Sequence, residues 1–308
     1  MSRHAEIWSN LQQLMSAPSV HYGEAVNRRV EGVGMAGLRL GLLLHAYQFE
    51  PAPITAHALQ TTIPYYATGP FKEGFHKLVE QGFLVGDGAY RLTAKGRYAL
   101  IDIFSAANEA LIHIENTLPQ DDLSRLHQLL RRLDSAVQHD THVLEKFCYQ
   151  MQRHVVPANP PSLLAEISDF VSSLYAFRCD CHRQSWQGHG VSGPAWESLT
   201  TLWRKEADSA EALAEKLGKA RPIRGYTRDE YLVFLQELVE KGWVTPQAGH
   251  FGKYELTGEG IKIRQFAEDE TDRLFYAVWF GRDRELDEME GLALRIVEGL
   301  KVGERVGD

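Results

Sequence analysis

Leu78-Val-Glu-Gln-Gly-Phe-Leu84 and, a few residues on, Tyr90-Arg-Leu-Thr-Ala-Lys-Gly96 decide the reading of this chain. Both recur, as Leu238-Val-Glu-Lys-Gly-Trp-Val244 and Tyr254-Glu-Leu-Thr-Gly-Glu-Gly260. The offset is 160 residues for the first block and 164 for the second, so the copies differ by a loop insertion between the blocks. An internal repeat fixes architecture before any single motif does.

Each copy carries the same order of signals. Phe71, Phe75, Leu78 and Val79 form the apolar stripe of an amphipathic helix, and Gly82 sits where a C-terminal cap is wanted. Phe83 to Val85, the turn Gly86-Asp87-Gly88 and Ala89 to Leu92 read as a short hairpin, after which Thr93 caps a helix through Tyr98, Ile101 and Phe104. In the second copy Tyr231, Phe234, Leu235 and Leu238 share a face, Gly242 caps, a hairpin turns around Gln247 to Gly252, and a helix runs from Thr257 through Phe266. Leu38 to Phe49 and Ala56 to Thr62 precede the first copy; Ala195 to Arg204 and Ala210 to Leu217, with Ser209 as N-cap, precede the second. Helix, helix, helix, small hairpin, helix is a winged helix-turn-helix. The expected fold is therefore mainly α with small β-wings: two winged helix-turn-helix domains in tandem with long flanking helices.

The helices after each wing continue to about Asn116 and Trp279, and the segments Asp121 to His139 and Arg282 to Leu300 carry leucine-rich stripes suited to packing. Pro157, Pro160 and Pro161 interrupt the helical pattern. The division expected is 1–157, an N-terminal winged-helix domain with flanking helices, and 158–308, its C-terminal counterpart.

The series LVEQGFL followed by YRLTAKGR, set among long helices, resembles the MarR family of bacterial transcription regulators. That resemblance implies a helix in the DNA major groove, a wing at the minor groove, and flanking helices that dimerise and hold a ligand. Two units in one chain resemble a fused pseudo-dimer, so a monomeric pseudo-dimer or a homodimer is expected. The second half also resembles uncharacterised actinobacterial regulator-like tandem winged-helix proteins. The residues that carry this likeness are Arg178-Cys-Asp180-Cys-His182, Gly188-His-Gly190, Arg224-Gly-Tyr226 and Thr271-Asp-Arg273. It implies fold and site location, and no activity.

With 308 residues, 44% hydrophobic, the chain can bury a sizeable core, and its composition is that of a globular protein. It shows no apolar run long enough for a membrane span and no secretory pattern at Met1 to Asn10, so a cytoplasmic location and no membrane partner are expected. Cys148, Cys179 and Cys181 are expected as free thiols. The net charge of −8 argues against a broad polyanion surface, so charge must be read locally.

Read locally, the first pre-wing helix balances Lys72 and Lys77 against Glu73 and Glu80, whereas in the second Asp229, Glu230, Glu237 and Glu240 outnumber Arg228 and Lys241. Phosphate neutralisation supplies most of the affinity for duplex DNA, so the first copy is the candidate reader. Its contact set is Thr68, Lys72, His76 and Lys77 on the helix, Arg91 on the wing, and Lys95 and Arg97 just beyond it.

The other chemistry-rich stretch is Tyr175 to His189. On a helix Arg178, His182 and Trp186 fall on one stripe, suited to an anionic or aromatic small-molecule ligand, with Asp180 a partner for a neighbouring cation. Cys179 and Cys181 point about 200° apart on a helix, so a four-ligand metal site with His182 and His189 requires the helix to unwind. No metal, cofactor or catalytic residue is assigned, and the common enzyme motifs do not occur. The sequence thus points to a MarR-like DNA-binding transcription regulator responding to a small ligand, which would change the separation of its reading heads. The alternative is a winged-helix scaffold without DNA binding that binds or processes a small molecule near Arg178, His182 and Trp186. A protein–protein adaptor is the third reading, favoured if both reading faces are acidic or apolar.

Overall fold

The structure, a computed structural model, describes residues 2–35, 37–155, 162–220 and 224–304. In chain order the described elements are α1 (Arg3–Ser16), α2 (Ser19–Gly32), α3 (Leu38–Gln48), α4 (Ala56–Thr62), α5 (Thr68–Glu80), β1 (Leu84–Val85), β2 (Arg91–Leu92), α6 (Ala94–Glu115) and α7 (Gln120–His139). There follow α8 (Phe147–Val155), α9 (Leu163–Gln187), α10 (Gly193–Trp203), α11 (Ala210–Ala220), α12 (Arg228–Glu240), β3 (Val244–Pro246), β4 (Tyr254–Leu256), α13 (Gly258–Ala277) and α14 (Asp283–Glu304). The fold is mainly α, a helix-turn-helix architecture with two small two-stranded wings, as the sequence pattern requires. No helix among the described residues is long and apolar enough to cross a membrane.

The local hydrogen bonds repeat between the copies. Thr55 Oγ1 accepts from the Ala58 amide at the start of α4, and Ser209 Oγ from the Ala212 amide at the start of α11, at 3.0 and 3.2 Å. Next to each cap the chain joins the wing: Ile54, ahead of Thr55, bridges Tyr90, and the cap residue Ser209 bridges Lys253. At the end of α5 the Phe83 amide reaches back to the Leu78 carbonyl, as the Trp243 amide does to Leu238 at the end of α12. These returns need a left-handed residue, and Gly82 and Gly242 supply it at φ 75° and 72°. Thr93 and Thr257 then accept from the Gly96 and Gly260 amides at the start of the next helix.

By contact the chain forms two units: Met1–Gln48, Leu92–Cys181 and Arg273–Asp308 in the first, Phe49–Arg91 and His182–Asp272 in the second. The boundary expected near residue 158 falls at 156–161, outside the described residues. Contact and repetition partition the chain differently. The second copy lies almost whole within one unit, whereas the first copy's α3 and α6 are grouped apart from its α4, α5 and wing.

The first unit is helical. Within it α2 packs on α6, α3 on α6 and α8, and α14 on α1 and α7, around Leu11, Leu126, Leu130, Leu133, Leu174, Phe275, Trp279 and Ile296. Arg125 pairs bidentately with Glu288 and Arg295 with Asp122, which sets α7 antiparallel to α14. These pairs are exposed, so they fix register rather than supply much stability. The unit also buries polar groups: Tyr149 Oη donates to Asp134 at 2.8 Å, and burial pushes the Asp169 carboxyl up to about 6 against the attraction of Arg153.

The second unit holds the rest of both copies. There α12 packs on α10 and α11, and β3 and β4 pair antiparallel with Val244 opposite Leu256. Its core is aromatic: Trp186, Trp196 and Trp243 with Leu199 and Leu238, and beside them Leu202, Leu213, Tyr231 and Leu235.

Two stability measurements follow from these features. Nothing lies within 4 Å of a Cβ added to Gly242, so Gly242→Ala should cost only the left-handed backbone penalty, about 1 kcal/mol in urea unfolding. Because the Asp169 pKa is raised in the folded chain, stability at this site is full below the ordinary carboxylate range and is lost as pH rises through about 6. Asp169→Asn should therefore raise stability at pH 7, on the order of 1–3 kcal/mol, and flatten that part of the stability profile.

Candidate nucleic-acid interface and ligand site

Thr68, Lys72 and His76 are spaced one turn apart along α5, and Lys72, His76 and Lys77 are exposed, because Phe71, Phe75 and Leu78 take the buried side. The cationic character of this face is reduced by Glu73, whose carboxylate binds Lys77 Nζ at 2.6 Å and is held below its ordinary range by that contact. His76 stands edge-on to Tyr90, whose ring stacks on Phe75 at 4.8 Å and so ties the wing to the helix. Arg91 is exposed on β2 and donates to the Pro51 carbonyl. Lys95 and Arg97 lie on the first turn of α6, in the other unit, exposed, with the Arg97 guanidinium 5.9 Å from the Tyr47 ring.

The equivalent helix of the second copy presents a different surface. A full capping box, Thr227 with Glu230, opens α12, and its exposed residues include Asp229, Glu230, Val233 and Glu240. Its one N-terminal cation, Arg228, is bound by Glu211 and Asp229. Lys241 Nζ, just past the helix, donates to the His189 carbonyl at 3.2 Å. This face is acidic and partly apolar.

The stripe Arg178, His182, Trp186 is divided between the units, Arg178 in the first and His182 and Trp186 in the second. Arg178 lies over the Phe275 ring at 5.9 Å. Asp180, buried beside it in sequence, accepts from the Cys148 and Tyr149 amides, both at 2.9 Å, and so caps the first turn of α8. A carboxylate on a helix N-terminus is well satisfied there. Helix α9 runs unbroken through Cys179 and Cys181, so the unwinding that a metal site would need does not occur. Cys181 is fully buried, and that burial together with Asp180 and Asp140 pushes its thiol well above the ordinary range. Such a thiol is a poor nucleophile at neutral pH.

In the second unit Trp186 stacks on Trp196 with ring centroids 5.6 Å apart and planes at 9°. His189 lies over the other end of Trp196 and edge-on to Trp243 and Phe266. His182 Nδ1 is 3.2 Å from Thr271 Oγ1, and Thr271 itself donates to the Ala267 carbonyl, which leaves its oxygen to accept from an Nδ1-protonated imidazole. The Trp186 and Trp196 indole N–H groups are buried, and among the described residues neither has a hydrogen-bond partner.

Sequence reasoning did not anticipate the burial of Arg264 and Arg224 in this unit. Arg264 donates to Thr200 at 3.0 Å, pairs with Glu268, and lies between the Trp196 and Trp203 rings. Arg224 is 2% exposed; its Nη2 meets Glu197 at 2.6 Å and its guanidinium sits 3.9 Å from the centre of Tyr66. Its carbonyl accepts from the Ala67 amide at 2.8 Å. Arg224, Gly225 and Tyr226 thus dock on the turn between α4 and α5. Gly225, at φ 71°, is required there, since a Cβ would fall 2.5 Å from Pro70 Cγ. The signal was present as the triplet Arg-Gly-Tyr, but Tyr66, Ala67 and Pro70, on which it docks, lie more than 150 residues away in sequence.

Beside this contact, still within the second unit, is an open groove of about 540 Å³ along α12, with walls that include Pro64, Tyr226, Val233 and Phe234.

The sequence pattern of a helix-turn-helix family matches residues 158–302. That match supports a helix-turn-helix domain within the segment from α9 to α14. No curated protein and no solved structure matches the chain.

Removing a partner from a buried ion pair costs more than the pair contributes, because a charge is left without compensation. Arg224→Met should destabilise the chain by about 3–5 kcal/mol in chemical denaturation. Adding Glu197→Gln to that variant should recover part of the loss, a coupling that an ordinary packing defect would not show.

Proposed function

We propose that the chain is a tandem winged helix-turn-helix regulator that contacts duplex DNA through its first copy and responds to a small ligand, in the manner of MarR-like proteins. The repeat division, 1–157 and 158–308, belongs to this reading as its duplicated unit. The observation that carries it is the difference between two helices in equivalent places: α5 exposes Lys72, His76 and Lys77, while α12 exposes Asp229, Glu230 and Glu240. Thr68 and these three residues of α5 would meet phosphates and base edges, Arg91 would follow from the wing, and Lys95 and Arg97 would add phosphate contacts from α6. A single reading helix per chain makes a half-site, so two chains would be needed to read a palindrome. The helix-turn-helix match supports a DNA-binding regulator in general.

The second reading, a scaffold that binds or processes a small molecule without DNA, draws on the aromatic core. Two buried indole N–H groups beside His182 and His189 are a donor set for an anionic or aromatic ligand, with Arg178 and Asp180 on the same helix.

A gel shift with random duplex at rising salt separates the two. Under the first reading the wild-type chain binds, and Lys72→Ala with Lys77→Ala weakens binding about tenfold or more and lowers the slope of log affinity against log salt by roughly 2. Binding that is absent, or unchanged in the double variant, removes α5 from that role and leaves the second reading.

A further inference from the structure

The groove along α12 has a composition that selects a ligand class. Tyr226 and Phe234 stand edge to face with centroids 5.0 Å apart, and Pro64 and Val233 add to an apolar lining, Val233 being 65% exposed. Gln60 and Glu230 also line it, an amide and a carboxylate. Among the described residues that line the groove none is Lys, Arg or His. Glu230 spends one oxygen, Oε2, on the Thr227 amide and hydroxyl, and among the described residues Oε1 is not engaged.

The surrounding charge has the same sign. Asp229 and Glu240 are exposed on the same helix, the nearby Arg228 is neutralised by Glu211, and the buried Arg224 is neutralised by Glu197. Aromatic faces, an ionised carboxylate and a net negative surround attract an apolar cation and disfavour an apolar anion of the same shape. A hydrated inorganic cation would gain nothing from the apolar wall, and a neutral ligand nothing from the charge.

We propose that this groove is a binding site for a lipophilic organic cation, its rings laid against Tyr226, Phe234 and Pro64 and its charge beside Glu230. Gln60 and Thr61, at the end of α4, line the same groove, and the Gln60 amide donates to the Tyr66 carbonyl at 2.9 Å in the turn that leads into α5. An occupant therefore touches the first helix-turn-helix at its turn. The site is distinct from the Trp186 cluster, and its chemistry stands whether or not α5 reads DNA.

The test is calorimetric titration of the full chain, without DNA, using tetraphenylphosphonium and its anionic isostere tetraphenylborate. The phosphonium should bind saturably and at least about tenfold more tightly than the borate. Glu230→Gln preserves the capping box, which accepts Gln at that position, so the helix stays intact while the charge is removed. It should weaken phosphonium binding about fivefold to tenfold and narrow the difference between the ions. Val233→Lys, at an exposed helical position, should abolish phosphonium binding with circular dichroism unchanged. Equal binding of both ions, no saturable phosphonium binding, or full affinity in both variants would overturn the proposal. Because no DNA is present, none of these outcomes bears on the gel-shift result.

Discussion

A guanidinium with almost no access to water holds the turn of the first helix-turn-helix against the second. Arg224 meets Glu197 through one nitrogen and the face of Tyr66 through its plane, while its own carbonyl anchors the Ala67 amide. Among the described residues its Nε and Nη1 have no hydrogen-bond partner, so the charge rests on one carboxylate and the rings of Tyr65 and Tyr66. Taking such a group out of water is expensive, and the contact persists only because several elements are already in place around it. Glu197 comes from α10, Tyr66 from the turn after α4, and Arg224 from the segment before α12. The same contact brings Tyr226 to the groove and fixes where Gln60 and Glu230 stand relative to each other.

This arrangement gives the two copies different surfaces. In the first, the pre-wing helix keeps a mixed but partly cationic outer face. In the second, the corresponding face is acidic and borders an apolar groove lined in part by the first copy's own turn. A duplicated fold whose copies face the same polyanion would be expected to keep similar charge on both helices; here the charges diverge and the second helix has acquired an intramolecular neighbour. The wings diverge too. The first carries Asp87 in a tight glycine turn, whereas the second extends to a longer loop with Phe251 fully exposed.

Several polar groups away from the wings serve the architecture. Asp180 caps α8, Asp134 holds Tyr149, and the exposed arginines of α7 and α14 set the register of two long helices. Cysteine and histidine within α9 looked chemically rich as a string of residues. Helical geometry instead turns Cys181 into the core, Asp180 to a helix end, and His182 to a threonine.

The repeat was legible in the sequence because its signals are local: the apolar spacing in α5 and α12, the left-handed glycines 82 and 242, and the Thr and Ser caps all act within a few residues of themselves. Helix ends, wings and the charge contrast between α5 and α12 followed from the same short-range rules. What the chain's order could not show is which distant surfaces meet. The grouping of α4, α5 and their wing with the second copy, the burial of Arg224 and Arg264, and the groove beside α12 depend on complementary shapes and paired charges drawn from segments far apart in the chain. Periodicity tells a helix which face to bury, but only packing tells it against what.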